Sequence, residues 1–303
     1  MEKYLRQYAE PGTAAVEAIP AAEPWQQVLV IPVCNESTGI LRPLPPAAGR
    51  SLMIVVVNET ENAARHVSLA NQNFAAELND RFGVAWQSSE GLTLFRDPAS
   101  PRDVMLVDRF SDEFRFPAKG GVGHARKAGA DLAAQLVHQE RVISPWIHCS
   151  DADVHLPRRY FNSHASAGDA GEKETAAKIY PFRHAAANNG VDRVTWVTLL
   201  YEFSLRYYVA GLAYAGSPYA FHTIGSTIAV DAQHYARVRG FPRRQAGEDF
   251  YLLNKLAKVG SIRQLKAGIE CEPIEIDARL SDRVPFGTGA ATGKIMELED
   301  PAR

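Results

Sequence analysis

Two apolar runs constrain this chain more than any other feature: Val28-Leu29-Val30-Ile31-Pro32-Val33 and Ser51-Leu52-Met53-Ile54-Val55-Val56-Val57. Neither alternates with polar residues, so each must be covered on both faces. That is the condition of a strand inside a parallel sheet between helix layers. Helical spacing follows. Residues 63–80 place Val67, Ala70, Phe74 and Leu78 on one stripe, and a helix begins near Val122 and runs on through residues 129–140. Short strands are expected at 103–107, with 91–95 competing for that role, and at 146–149. This alternation predicts an α/β fold with a mostly parallel central sheet covered by helices.

The pattern changes after Asp153. Residues 168–175 read as a polar loop, 177–182 as a strand, 221–230 as strand-like and 246–259 as a helix ended by Gly260. Residues 270–276 alternate as an edge strand does. Residues 192–215 form a long helix carrying Trp196, Tyr201, Phe203, Tyr207 and Tyr208; aromatic residues at helical spacing are expected in the core. The chain divides into a lead-in (1–26), a single domain (27–278) and a C-terminal loop or tail (279–303). The three cysteines lie far apart with no CxxC pair, which fits a reducing, cytoplasmic setting. A net charge of -2 gives no bulk attraction to nucleic acid or anionic membrane. No run approaches the roughly 18 apolar residues of a membrane span.

The chemistry gathers where strands end. Asp151-Ala152-Asp153 follows the strand at 146–149, and Cys34-Asn35-Glu36 follows the first strand. Ligands of open α/β sheets bind at such ends. Two carboxylates at this spacing suit a divalent cation shared with phosphates. Gly120-Gly121-Val122-Gly123-His124-Ala125-Arg126-Lys127 enters a helix with two cations, as a diphosphate site would. Glu248 and Asp249 open another helix, where one acid can serve as a base toward a hydroxyl.

In this order, these elements resemble the family 2 glycosyltransferases of the GT-A fold. The resemblance rests on Ile31–Glu36, Val55–Thr60, Ala125–Gly129, Asp151-Ala152-Asp153, Gly225-Ser226 with Gly240-Phe241, and Gly247-Glu248-Asp249, and it covers roughly residues 28–260. It implies transfer of a sugar from a nucleotide-sugar, UDP by default or GDP, to a carbohydrate, lipid or small-molecule acceptor, with inversion. It implies that Pro32, Val33, Asn35 and Glu36 line the nucleotide pocket, that Asn58 and Glu59 face the base or ribose, and that Arg126 lies near the base or diphosphate. Asp151 and Asp153 would meet the donor through Mn²⁺ or Mg²⁺. Asp249 would be the base, with Glu248 beside it.

The link between Glu36 and Leu52 is short and proline-rich where the family has a full helix, and Lys127 stands where the family often has Asn. His222 is a candidate third metal ligand. Arg283, in a glycine-bearing segment with Arg279, is a candidate phosphate clamp on a lid. Two other readings stay open: a nucleotidyltransferase, and a nucleotide-binding module of the same fold without turnover. The first would carry a glycine-rich basic loop after the first strand, where Cys34-Asn35-Glu36 stands.

Overall fold

The computed structural model describes residues 1–40, 45, 49–96, 100–162, 174–186, 192–279 and 288–296. Its strands are β1 (Gln27–Val33), β2 (Ser51–Asn58), β3 (Gly83–Ser88), β4 (Leu92–Arg96), β5 (Arg102–Arg109), β6 (Trp146–Cys149), β7 (Val154–His155), β8 (Thr175–Ile179), β9 (Phe182–Ala186), β10 (Ile228–Asp231), β11 (Ser261–Gln264) and β12 (Ile274–Ala278). Its helices are α1 (Glu2–Gln7), α2 (Arg65–Arg81), α3 (Val122–His138), α4 (Arg193–Tyr214), α5 (Ala232–Arg237), α6 (Glu248–Leu256) and α7 (Thr288–Met296).

Nine strands form one sheet in the order β11-β8-β10-β6-β1-β2-β5-β4-β3. Its centre, β6-β1-β2-β5, is parallel, with Gln27 through Val33 opposite Ser51 through Val57 and Ser51 through Asn58 opposite Arg102 through Arg109. Antiparallel strands extend each wing: β10 between β6 and β8, and β4 and β3 beyond β5. The expected α/β architecture is therefore present. The uninterrupted apolar runs are explained by burial on both sides. Val28, Val30, Leu52, Ile54 and Val56 belong to a core under α3, while Leu29, Ile31, Met53, Val55 and Val57 share the opposite core with Phe74 and Leu78 of α2. Helix α3 lies close on the sheet because Gly129 has no side chain where Val30 and Val56 stand.

A second sheet, β7-β12-β9, has β12 at its centre, antiparallel to β7 and parallel to β9. Here the sequence reading shifts. The strand expected at 270–276 lies at Ile274–Ala278 and is central, not an edge. The single strand expected at 177–182 breaks at Tyr180-Pro181 into two strands of different sheets. Of 221–230 only 228–230, the first three residues of β10, is strand, preceded by a 3₁₀ turn at Gly225–Thr227. Residues 92–95 and 103–107 both fall in strands, β4 and β5, with Gly91 in the turn before β4. The N-terminal lead-in is docked: the hydroxyl of buried Tyr4 donates to Asp131 of α3 at 2.5 Å. Among the described residues no helix is long and apolar enough to cross a membrane.

Candidate functional site

The parallel strands deliver their following residues to one rim. Cys149, the last residue of β6, pairs with Val30, and the Ser150 N–H donates to the Val30 carbonyl at 3.0 Å. Asp151 and Asp153 therefore emerge beside the end of β1, where Glu36 lies. The small sheet closes this region from the other side. Ile276 pairs with Val154, and the Asp277 N–H donates to the Asp153 carbonyl at 3.0 Å, so the residue after β12, Arg279, reaches the motif.

Two arginines organise the acids. Arg126, buried in the first part of α3, donates Nε to Glu248 Oε1 at 2.7 Å, Nη2 to Asp151 Oδ1 at 2.7 Å and Nη1 to the Ser150 carbonyl at 3.3 Å. Burial alone would lower its pKa, but Asp151 and Glu248 more than offset that and hold the guanidinium charged. Arg279 donates Nε to Asp153 Oδ2 at 2.8 Å and Nη2 to Glu36 Oε1 at 2.7 Å. Each arginine thus bridges two carboxylates from separate elements.

The remaining acid differs. Asp249, half-buried in the first turn of α6, accepts the Phe250 N–H at 2.7 Å. Burial, with the charge of Glu248 adding and Arg126 opposing, pushes its carboxyl up to about 7. Asp151 is also raised by burial and by the like charges of Asp153 and Glu248, against the pull of Arg126. Carboxyls displaced in this way cluster where chemistry is done.

Several expected residues are placed otherwise. The Asn58 side-chain amide is spent on the carbonyls of Val33 and Val56 at 2.9 and 3.1 Å. Glu59 is buried and held by Ser68, Asn71 and Arg115 at 2.9, 3.1 and 2.8 Å. Both brace the end of β2 instead of presenting groups to a base or ribose. Asn35 adopts a left-handed φ of 56° and donates its N–H to Asn71 at 3.1 Å, while Pro32 and Val33 lie within β1 itself. The glycine-rich entry to α3 does not cradle a diphosphate. A Cβ at Gly121 would meet Gln245 backbone at 2.6 Å, and one at Gly123 the Arg244 carbonyl at 2.6 Å, so residues 242–245 cover that helix end. His222 does not join Asp151 and Asp153: its ring sits edge-on to Phe182, 5.2 Å between centroids, and no group of three or more potential metal ligands occurs among the described residues. His148 points into the core against Tyr160 and Phe161. Arg283 lies outside the described residues. The role of Arg279 toward Asp153 and Glu36 was not visible in sequence, because the pairs span 126 and 243 positions.

The donor set fits a divalent cation in part. Asp151 uses Oδ1 and Asp153 uses Oδ2 in the ion pairs above, which leaves one oxygen of each outside those contacts. Two carboxylate oxygens of hard character suit Mn²⁺ or Mg²⁺ whose other positions are filled by phosphate oxygens and water.

No family model and no curated protein matches the chain. Among solved structures it is similar to S. aureus TarS, residues 1–349 in complex with UDP-GlcNAc, at 9% identity over 91% of this chain and 68% of that one, with a TM-score of 0.44. It is also similar to the mannosyltransferase PcManGT from Pyrobaculum calidifontis in complex with GDP-Man and Mn²⁺, at 15% identity and a TM-score of 0.43. That alignment covers 93% of this chain and 63% of the mannosyltransferase, less than two thirds of its length.

Proposed function

We propose that the protein is a glycosyltransferase that moves a sugar from a nucleotide-sugar to an acceptor hydroxyl with inversion. The observation that carries this reading is the pairing of Asp151 and Glu248 with Arg126 at the rim of the parallel strands, with Asp249 next to Glu248 and its carboxyl raised to about 7. A carboxyl near 7 beside a fixed cation is suited to general-base work at neutral pH. In the proposed step the acceptor O–H proton passes to Asp249 and the acceptor oxygen bonds to the anomeric carbon. The bond from that carbon to the diphosphate breaks, and the nucleoside diphosphate leaves with the electron pair. Glu248, held by Arg126, keeps Asp249 basic through its charge.

Asp151 and Asp153 would hold Mn²⁺ or Mg²⁺ through their remaining oxygens. When bound, that ion supplies positive charge to the departing diphosphate. Arg279 would orient Asp153 and Glu36 on the donor side. UDP is the first expectation for the nucleotide and GDP the second. The nucleotidyltransferase reading is disfavoured by Glu36, which puts an acid, paired with Arg279, after β1 where that chemistry uses a basic glycine loop.

The test is a melting-temperature panel of UDP, GDP, CDP and ADP and their sugar conjugates, with and without Mn²⁺. A ligand of the folded state raises the melting temperature, by an amount that grows with the logarithm of its concentration relative to Kd. A shift for one nucleotide, reduced in Asp153→Ala, supports the proposal. A panel with no shift removes it.

A further inference from the structure

Helix α4 is built inside out. Its polar Thr198 and Glu202 are buried, Glu202 accepting the His184 N–H at 2.7 Å and Arg206 Nη2 at 2.6 Å. Most of its aromatic residues face outward, with Phe203 69%, Tyr207 74% and Tyr208 63% exposed, while Tyr201 is half-buried. The sequence expectation of a core aromatic face is thereby reversed for Trp196, Phe203, Tyr207 and Tyr208. A helix that anchors by its polar side and offers rings to solvent marks a surface that meets something apolar.

The C-terminal half of that helix is one wall of a cavity of about 210 Å³. Leu205, Val209 and Leu212, at i, i+4 and i+7, line it from α4; residues 219–224 form a second wall, and Phe250 and Asn254 close it from α6. Three relationships connect it to the carboxylate rim. Phe250 follows Asp249 and donates its N–H to that carboxylate. Tyr201, one turn before Leu205, has its phenol pKa raised by burial and by the charge of Asp249. Ile224 precedes Gly225, where a Cβ would strike the Arg126 guanidinium at 2.6 Å.

Resting on the glycosyltransferase reading, we propose that this cavity is the acceptor subsite and that the acceptor is an amphiphile. Its hydroxyl-bearing head is presented to Asp249, and its alkyl or aromatic tail lies between α4 and residues 219–224. At about 210 Å³ the cavity has room for one ring or a short alkyl chain. A bilayer is the weaker occupant. The binding face is concave, and α4 lacks the Lys/Arg-rich polar face of an interfacial helix: Arg206 is engaged by Glu202, and Arg193 stands at the helix start.

The experiment titrates methyl, n-hexyl and n-octyl β-D-glucoside, each below its micelle concentration, into wild type, Leu212→Glu and Val209→Gln by calorimetry. The nucleotide panel is run on the same wild-type preparation, and the fold of each variant is checked by its melting curve. The proposal expects binding to tighten by up to about fifteenfold for each two added methylenes that become buried and this dependence to collapse in both variants. Equal affinity for the three glucosides overturns it, as does a chain-length dependence that survives both substitutions. Co-sedimentation with phosphatidylcholine vesicles, without discrimination among the monomeric glucosides, assigns the face to a membrane and also overturns it. Chain-length dependence with no nucleotide shift removes the transferase reading, and the acceptor role with it, while the apolar site itself stands.

Discussion

The Nη2 of Arg126 lies 2.7 Å from Oδ1 of Asp151, tying helix α3 to the motif that follows β6. The same guanidinium reaches Glu248 through Nε, and the Glu248 side chain is only 4% exposed. A lysine keeps the charge but offers one compact ammonium in place of a planar fork. Arg126→Lys is therefore expected to fold and to lose about 100-fold in kcat/KM, because it cannot hold both acids. Arg126→Met leaves Glu248 buried without its cation, a loss of about 3–5 kcal/mol for a broken buried pair. Urea unfolding of the two variants checks this ordering; Arg126→Met as stable as wild type contradicts it.

Asp249 gives the protein a pH signature. Its carboxyl is raised from 3.8 to about 7, chiefly by burial. Between those values the unfolded chain has released this proton and the folded chain has kept it. Folding binds protons in that window, so this group's contribution to stability falls as pH rises from about 4 to 7. The proposed base works only when ionised, so kcat/KM is expected to climb with pH and level off above about 7. Asp249→Asn is expected to remove that limb and about 10²–10⁴ of the rate. A wild-type rate that is flat from about pH 5.5 to 8.5 would falsify the assignment.

Asp153 and Arg279 make the metal prediction. Arg279 already pairs with both Asp153 and Glu36, at 2.8 and 2.7 Å, and offsets one of their two charges. A cation that arrives with a nucleotide brings phosphate oxygens as further ligands, so Mn²⁺ is expected to bind far better with the nucleotide than alone. Calorimetry of Mn²⁺ with and without UDP or GDP measures the difference. EDTA is expected to abolish the nucleotide's thermal shift. Asp153→Asn should weaken the Mn²⁺-dependent part of that shift at least tenfold in affinity; an equal shift in EDTA argues that the arginines alone hold the diphosphate.

What could be read in sequence was what local pattern determines. The unbroken runs at Val28–Val33 and Ser51–Val57 declared burial on both faces, and Trp146–Cys149 ended where the acids begin. Two kinds of feature were out of reach. Partners far apart in the chain, such as Arg279 with Asp153, depend on β12 pairing with β7, which no periodicity in 274–278 reveals. Function was also inferred from glycines whose reason is steric: Gly121 and Gly123 admit the backbone of Arg244 and Gln245, and Gly129 admits Val30 and Val56. On α4, helical spacing signalled a buried aromatic stripe, yet the buried side is set by Glu202 binding His184. Periodicity finds a stripe but cannot say which side of it the protein covers.

Asp131 provides the last prediction, one of stability away from the rim. It is buried on α3 and accepts four donors: Tyr4 and Tyr235 hydroxyls at 2.5 and 2.7 Å, Lys127 Nζ at 2.8 Å and the Glu10 N–H at 2.8 Å. This cluster docks the N-terminal segment on the domain, since Tyr4 and Glu10 both lie before β1. Asp131→Asn retains the shape but removes the charge that compensates buried Lys127, and a lone buried ammonium costs about 3–5 kcal/mol. Tyr4→Phe removes one donor and is expected to cost about 1 kcal/mol. A double-mutant cycle of Asp131→Asn with Lys127→Met, read by urea unfolding, isolates the coupling between the two charges. The double variant is expected to lose much less stability than the sum of the two single losses, because removing the ammonium relieves most of what Asp131→Asn costs. Simple additivity of the two substitutions means that Lys127 draws its compensation from elsewhere.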